Sequence, residues 1–351
     1  MRVVSRRSVL KASAALSFAY AAPLRAATPA AEPVTPDLID AAKKEGQVVW
    51  YTAADLRLAQ TLGKEFERRF PGISARIERL GAERIFTRIA QEYAAGIHGV
   101  DAVNTGDAAQ FLTWKKQGLL TPYVPEEAAK YFPAEYRDQD GLFAVVRSSL
   151  CVLAYNTELV KPDEAPTSYA DLLDAKWKGK MVKAHPAYSG TIVTSTFAVA
   201  RELGWDYFDK LSKQGVLQIQ SATDTPNKVA LGERAVMADG NEYNVLILSE
   251  GGKAIKPVYP KEGTPLITMP AAIFKAAPHP HAARLFQSFL FSRETQQILV
   301  DVGSLRSLHV QVRDKQSRTP LSAIKVWKTD PAEVEKATDE IKHRYSQYFR
   351  V

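Results

Sequence analysis

From Gly46 to Gly118 the chain alternates short β-rich runs with amphipathic stretches, joined by short connections. That alternation constrains the fold more than any other feature, because strand–helix–strand repeats bury their apolar faces only in layered α/β sheets with right-handed crossovers. Gln47-Val-Val-Trp-Tyr-Thr52 reads as a buried strand. Leu56, Ala59, Leu62, Phe66 and Phe70 then recur at helical spacing, with Asp55 as N-cap and Pro71-Gly72 as the stop. Ile73, Ala75 and Ile77 alternate as in a strand, a helix is expected over 82–95, a strand over 100–104 and a helix over 107–118. The expectation is a parallel, doubly wound sheet.

The same style returns further on. Strands are expected over 150–156 and 180–184, and a helix over 191–203 that stops at Gly204. A Pro/Gly-rich stretch over 258–265 reads as a connector, followed by helices over 282–290 and 293–301 and a charged helical tail over 330–349. A chain leaving one α/β lobe near Leu150 and returning near Pro265 joins two lobes by more than one crossing, which can act as a hinge. The expected division is 40–148 and 261–351 in the first lobe, with the C-terminal helices, and 149–260 in the second. Length agrees, since 351 residues exceed one comfortable core.

The first 26 residues are read apart from the fold. Ser5-Arg6-Arg7-Ser8-Val9-Leu10-Lys11 matches the twin-arginine export pattern, and Ala12–Ala22 supplies an apolar stretch too short to span a bilayer. The small-residue zone Leu24-Arg25-Ala26-Ala27 places cleavage near Ala27, with no cysteine there to carry a lipid. Removing Arg2, Arg6, Arg7, Lys11 and Arg25 from the 46 basic residues leaves 41 against 39 acids. The basicity of the whole chain is therefore largely a targeting signal and gives no support for nucleic-acid binding. The single cysteine, Cys151, lies in an apolar run and is read as a buried, inert thiol.

Three passages carry a family resemblance. Tyr155-Asn156-Thr157-Glu158-Leu159-Val160 leads through Pro166-Thr167-Ser168-Tyr169-Ala170-Asp171-Leu172-Leu173 to Lys176-Trp177-Lys178-Gly179-Lys180. Glu262-Gly263-Thr264-Pro265-Leu266-Ile267 follows, then His279-Pro280-His281-Ala282-Ala283 and Phe286-Gln287-Ser288-Phe289-Leu290. In this order they resemble the extracellular solute-binding proteins of ABC importers, in the branch that includes ferric-iron-binding proteins. The resemblance implies a type II periplasmic-binding fold, two α/β lobes closing on a small-molecule ligand. It also implies a periplasmic, monomeric protein delivering that ligand to permease subunits, with no cofactor and no membrane insertion.

Candidate contacts follow from chemistry and from that resemblance. In His185-Pro186-Ala187-Tyr188-Ser189-Gly190-Thr191, Ser189 is either a plain helix cap or the start of an anion site formed by the free amides of Gly190 and Thr191. The resemblance favours the anion site. In Asp239-Gly240-Asn241-Glu242-Tyr243-Asn244, Tyr243 stands where ferric-binding relatives have their second ligand tyrosine, and Glu242 replaces the first. In Trp50-Tyr51-Thr52-Ala53-Ala54-Asp55, Asp55 stands where some relatives have a ligand histidine, and Thr52 is expected to close over the ligand with it. Gly106 stands near a relatives' glutamate, with Asp107 beside it. An Asp55/Asp107/Glu242/Tyr243 set suits hard Fe(III) chemically, yet both aspartates also read as helix caps. Arg147, in an apolar stretch, and Arg306, after a helix, are candidates for gripping a carboxylate or phosphate with two parallel hydrogen bonds. The expected ligand is thus a small anion, with ferric iron as the alternative.

Nothing points to catalysis. The six histidines have no zinc spacing, and no GxSxG, Walker or GxGxxG motif occurs. A secreted enzyme on the same architecture would need a nucleophile with an oriented base, and none is recognisable, although Asp239 and Glu242 could in principle do acid–base work.

Overall fold

A computed structural model describes residues 29–350; the twin-arginine segment, residues 1–26, lies outside the described residues. Thr35 caps helix α1 (Pro36–Glu45), and strand β1 (Gln47–Thr52) follows. Next come α2 (Leu56–Arg69), β2 (Ser74–Arg79), α3 (Ala82–Ala94), β3 (Ala102–Asn104), α4 (Ala108–Lys116), β4 (Leu120–Thr121), α5 (Glu126–Tyr131) and β5 (Ala144–Leu150). β1 pairs in parallel with β2, the edge strand of the first sheet, and with β3. Its residues alternate between two buried faces, as the pleat requires. Val48 and Trp50 meet Leu58, Leu62, Phe66 and Phe286, while Val49 and Tyr51 meet Ile85, Ile89, Phe111 and Trp114.

The second lobe holds β6 (Leu153–Asn156), β7 (Met181–Ala184), α6 (Gly190–Leu203), α7 (Trp205–Ser212) and β8 (Leu217–Ile219). It continues with α8 (Thr225–Ala230), β9 (Val236–Met237), α9 (Glu242–Glu250) and β10 (Ile255–Val258). Its sheet runs β10-β6-β9-β7-β8, with β7 parallel to both neighbours. The chain returns along β11 (Thr264–Phe274) into α10 (Pro280–Phe291) and α11 (Arg293–Asp301), then β12 (Val326–Trp327) and α12 (Pro331–Phe349).

Two α/β lobes are therefore present, with one difference from the parallel expectation. β11 runs antiparallel to β3, β4 and β5, so the first sheet is mixed. A strand that returns from the second lobe must enter the first in the opposite sense. The expected strand over 150–156 is broken at Cys151–Val152 into β5 and β6, because the chain passes between lobes there. Outgoing β5 and returning β11 are paired from Leu150↔Leu266 to Ala144↔Ala271, and the Cys151 amide donates to the Pro265 carbonyl at 2.9 Å. Cys151 itself is 1% exposed, and burial pushes its thiol up to about 12, as expected of an inert packing residue.

The last helix packs on the second lobe. Tyr345 is fully buried in the same apolar cluster as Phe208 and Leu211, and Trp327 stacks on Tyr169 with ring centroids 5.7 Å apart. α12 also reaches the first lobe: Val334 and Ile341 share an apolar cluster with Ala109 of α4, Glu335 meets Lys116 and Thr113, and Lys342 meets Glu83.

Candidate functional site

The carboxyl ends of the parallel strands in both lobes point at one another, and a cavity of about 160 Å³ lies between them. The first lobe contributes Arg79 at the end of β2, Gly106 beyond β3, and Arg147 from β5. The second contributes Ser189-Gly190-Thr191 beyond β7, the 220–224 loop beyond β8, and Asn241 and Tyr243 beyond β9. Arg79, Arg84 and Arg147 line it against one acid, Asp224.

Three helices begin at the cavity wall, α3 after Gly81, α6 after Ser189 and α9 after Asn241, and none has a side-chain cap at its first turn. Their free amides and positive dipole ends favour negative charge between them. Ser189 does not cap α6, which removes the plain-cap reading of that turn.

Arg147 is the floor. It is 4% exposed, and its Nε and Nη2 donate to Asn104 Oδ1 at 3.1 and 2.9 Å. Asn104 is fixed in turn by donating Nδ2 to the carbonyls of Met269 and Pro270 at 3.2 and 2.7 Å. The remaining nitrogen, Nη1, is buried without a partner. Burial pulls this guanidinium below its ordinary pKa, while Tyr243 supports the charge. A buried cation with an unpartnered nitrogen is an incomplete arrangement that an incoming anion completes. Tyr243 is also buried; burial pushes its phenol up, and Arg147 pulls it the other way.

The other expected residues are used differently. Thr52 Oγ1 accepts from the Ala54 amide at 3.1 Å within its own turn. Asp55 accepts from the amides of Arg57 and Leu58 at 3.0 and 3.3 Å, a helix cap off the cavity wall. Asp107 accepts from the Ala109 amide at 3.0 Å and is 1% exposed. Burial, then Glu83, raises its carboxyl to about 7, against the opposing pull of the Ala109 amide and Lys342. Glu242 and Arg306 are not among the cavity's lining residues. They face each other, with Arg306 Nε and Nη2 donating to Glu242 at 2.9 and 2.7 Å, and Tyr259 donating its hydroxyl to the same carboxylate at 2.6 Å. The structure thus brings Arg147, Ser189, Gly190, Thr191, Asn241 and Tyr243 together and leaves Thr52, Asp55, Asp107, Glu242 and Arg306 outside the lining.

Arg79 and Arg84 escaped the sequence reading. Arg79 donates Nε to the Ala54 carbonyl at 3.1 Å and Nη2 to Thr223 Oγ1 at 3.0 Å; Arg84 Nη2 donates to Gln220 Oε1 at 2.7 Å. Both bridge the lobes. Their signal was positional, since Arg79 ends a strand and Arg84 opens a helix, both at the cleft side of an α/β lobe. Among the described residues no group of three His, Cys, Asp or Glu could hold a metal ion, and no helix is long and apolar enough to cross a membrane.

Comparison with known proteins adds the family. The family model for bacterial extracellular solute-binding proteins matches residues 101–327. A probable ABC transporter periplasmic-binding protein of Sinorhizobium fredii is 32% identical over 112 residues, 29% of this chain and 31% of that protein. Iron uptake protein A1 of Synechocystis sp. is 25% identical over 242 residues, 65% of this chain and 66% of that protein. The matches thus span less than two thirds of these two relatives' own lengths. Among solved structures, the periplasmic binding protein AfuA of Actinobacillus pleuropneumoniae, with exogenous fructose-6-phosphate bound, superposes with a TM-score of 0.79 at 22% identity. That match covers 87% of this chain and 99% of AfuA. Iron-bound HitA of Pseudomonas aeruginosa superposes at 0.73 with 20% identity, covering 85% and 99%. At such identities the likeness is one of fold.

Proposed function

Because the chain belongs to the bacterial extracellular solute-binding proteins, we propose that it is the periplasmic substrate-binding component of an ABC importer. In this reading it captures a small anionic solute of carboxylate, phosphate or phosphonate type between its lobes and presents it to permease subunits. It acts as a monomer, exported through the twin-arginine segment at 1–26, and leaves its ligand chemically unchanged. The observation that carries the anion is Arg147, a buried guanidinium at the cavity floor with Nη1 unpartnered. The uncapped starts of α3, α6 and α9 add to it.

The moving units are 40–148 with the part of 261–351 that packs on it, and 149–260. Bending occurs at the paired crossings of β5 and β11. Ligand docks on Ser189–Thr191 and Tyr243, and closure brings Arg79, Arg84 and Gly106 over it.

Ferric cargo is less well served. Glu242 is engaged by Arg306 and Tyr259, Asp55 and Asp107 accept helix amides, and burial holds Tyr243 in its phenol form, away from the phenolate that iron needs. Mass spectrometry of ligand co-purified with the native protein, paired with a thermal-shift screen of ferric salts, phosphonates, sugar phosphates and small carboxylates, tests the reading. An acid that raises the melting temperature and is recovered intact supports it. A shift with ferric salts alone, or turnover of the ligand, overturns it.

A further inference from the structure

The cavity's size narrows the class of anion. An apolar cavity of about 150 Å³ holds one benzene, and pockets for drug-sized ligands begin at about 300 Å³. The space between these lobes is about 160 Å³. It is bounded at the first-lobe side by Arg79 and Arg84, which donate from Nη2 to Thr223 and Gln220 of the opposite lobe. Below lies Arg147, whose Nη1 has no hydrogen-bond partner. At the side, the lobes meet with no room between them: a Cβ on Gly106 would lie 2.7 Å from Thr191 Oγ1, and one on Gly190 would fall on Asp107.

We propose that the ligand is a compact acid of about six to eight non-hydrogen atoms, seated on Arg147. Arg79 and Arg84, latched to the 220–223 loop, set its length limit. The inference rests on the anion reading given above and adds to it a ceiling on size. A hexose phosphate has roughly twice that number of atoms and does not fit a cavity of this volume with both latches closed. Each latch acts by fixing how near the lobes approach. Arg147 binds by charge and by hydrogen bonding, so it discriminates acids from neutral sugars, whereas the latches discriminate among acids.

Calorimetric titration of the full chain with two pairs of acids tests this: phosphonoacetate against fructose 6-phosphate, and malonate against citrate. The smaller member of at least one pair is expected to bind at least about tenfold more tightly than the larger. Arg84→Ala is expected to shrink that gap by opening the mouth, with the larger acid gaining affinity. Arg147→Lys, which keeps the charge but loses the planar fork, is expected to weaken the smaller acid about tenfold or more. Unliganded melts matching the parent protein establish that both variants are folded. A larger acid binding as tightly as its smaller partner overturns the size ceiling and leaves the anion reading standing. An unchanged gap in Arg84→Ala overturns the latch. Binding of ferric ion or a neutral sugar, with none of the four acids bound, overturns the anion reading and this inference together.

Discussion

Asp107 carries two duties that pull on its charge in opposite directions. As N-cap it accepts a hydrogen bond from the Ala109 amide, which favours the carboxylate, yet it is 1% exposed and faces Glu83. Burial wins, and the carboxyl is raised to about 7, with Lys342 only partly offsetting. An unfolded aspartate titrates near 3.9, so the folded protein holds this proton more firmly than the unfolded chain does. The stability it contributes is complete below about pH 4, fades as pH rises and is gone above about pH 7. Asp107→Asn keeps a good cap and removes the charge. The variant is expected to match the parent at pH 4 and to exceed it in stability at pH 8, by urea unfolding at both values. Equal curves at pH 8 would place the ionised carboxylate at no cost.

At the scale of elements, α6 begins where the lobes touch, and the demands of helix and closure conflict there. Alanine is the better helix former by about 1 kcal/mol over glycine, so Gly190→Ala favours α6 by itself. Its Cβ, however, would collide with Asp107 across the interface. Expected is an unliganded melting temperature equal to or above the parent's, with ligand affinity weaker by about tenfold or more, measured by thermal melts and titration on the same sample. Loss of both properties would mean that the glycine serves the fold and not closure. α2 was legible in the sequence because Leu58, Ala59, Leu62 and Phe66 fall on one buried stripe and Asp55 does cap it. β11 was not, because Pro265 and Pro270 interrupt a strand pattern. The structure accommodates Pro270 at a register shift beside Met269, where the ladder with β5 is already irregular. The site divides in the same way. Arg147 stood out as a charge in an apolar run, whereas Arg79 and Arg84 look in sequence like any solvated arginine. Nothing local in Glu242 tells that Arg306, far along the chain, takes both its oxygens.

For the whole molecule, the proposed closure sets the ligand beside the contacts that join the two lobes. α12 has Val334, Ile341 and Tyr345 buried, packs on the second lobe, shares an apolar cluster with Ala109 of the first, and pairs Glu335 with Lys116 and Lys342 with Glu83. Ion pairs this near to water contribute about 0–1 kcal/mol each and weaken in salt. Ligand at a hundredfold excess over its Kd adds about 2.7 kcal/mol, more than these two pairs supply. Lys342→Ala should therefore leave unfolding in denaturant within about 1 kcal/mol of the parent while weakening ligand binding two- to fivefold, roughly the factor that 0.4–1 kcal/mol supplies. The difference should shrink at high salt. Small-angle scattering, which should report a smaller radius of gyration on adding ligand to either protein, separates weaker closure from damage to the site. A variant that binds weakly at every salt concentration and never contracts would assign Lys342 to the binding surface itself.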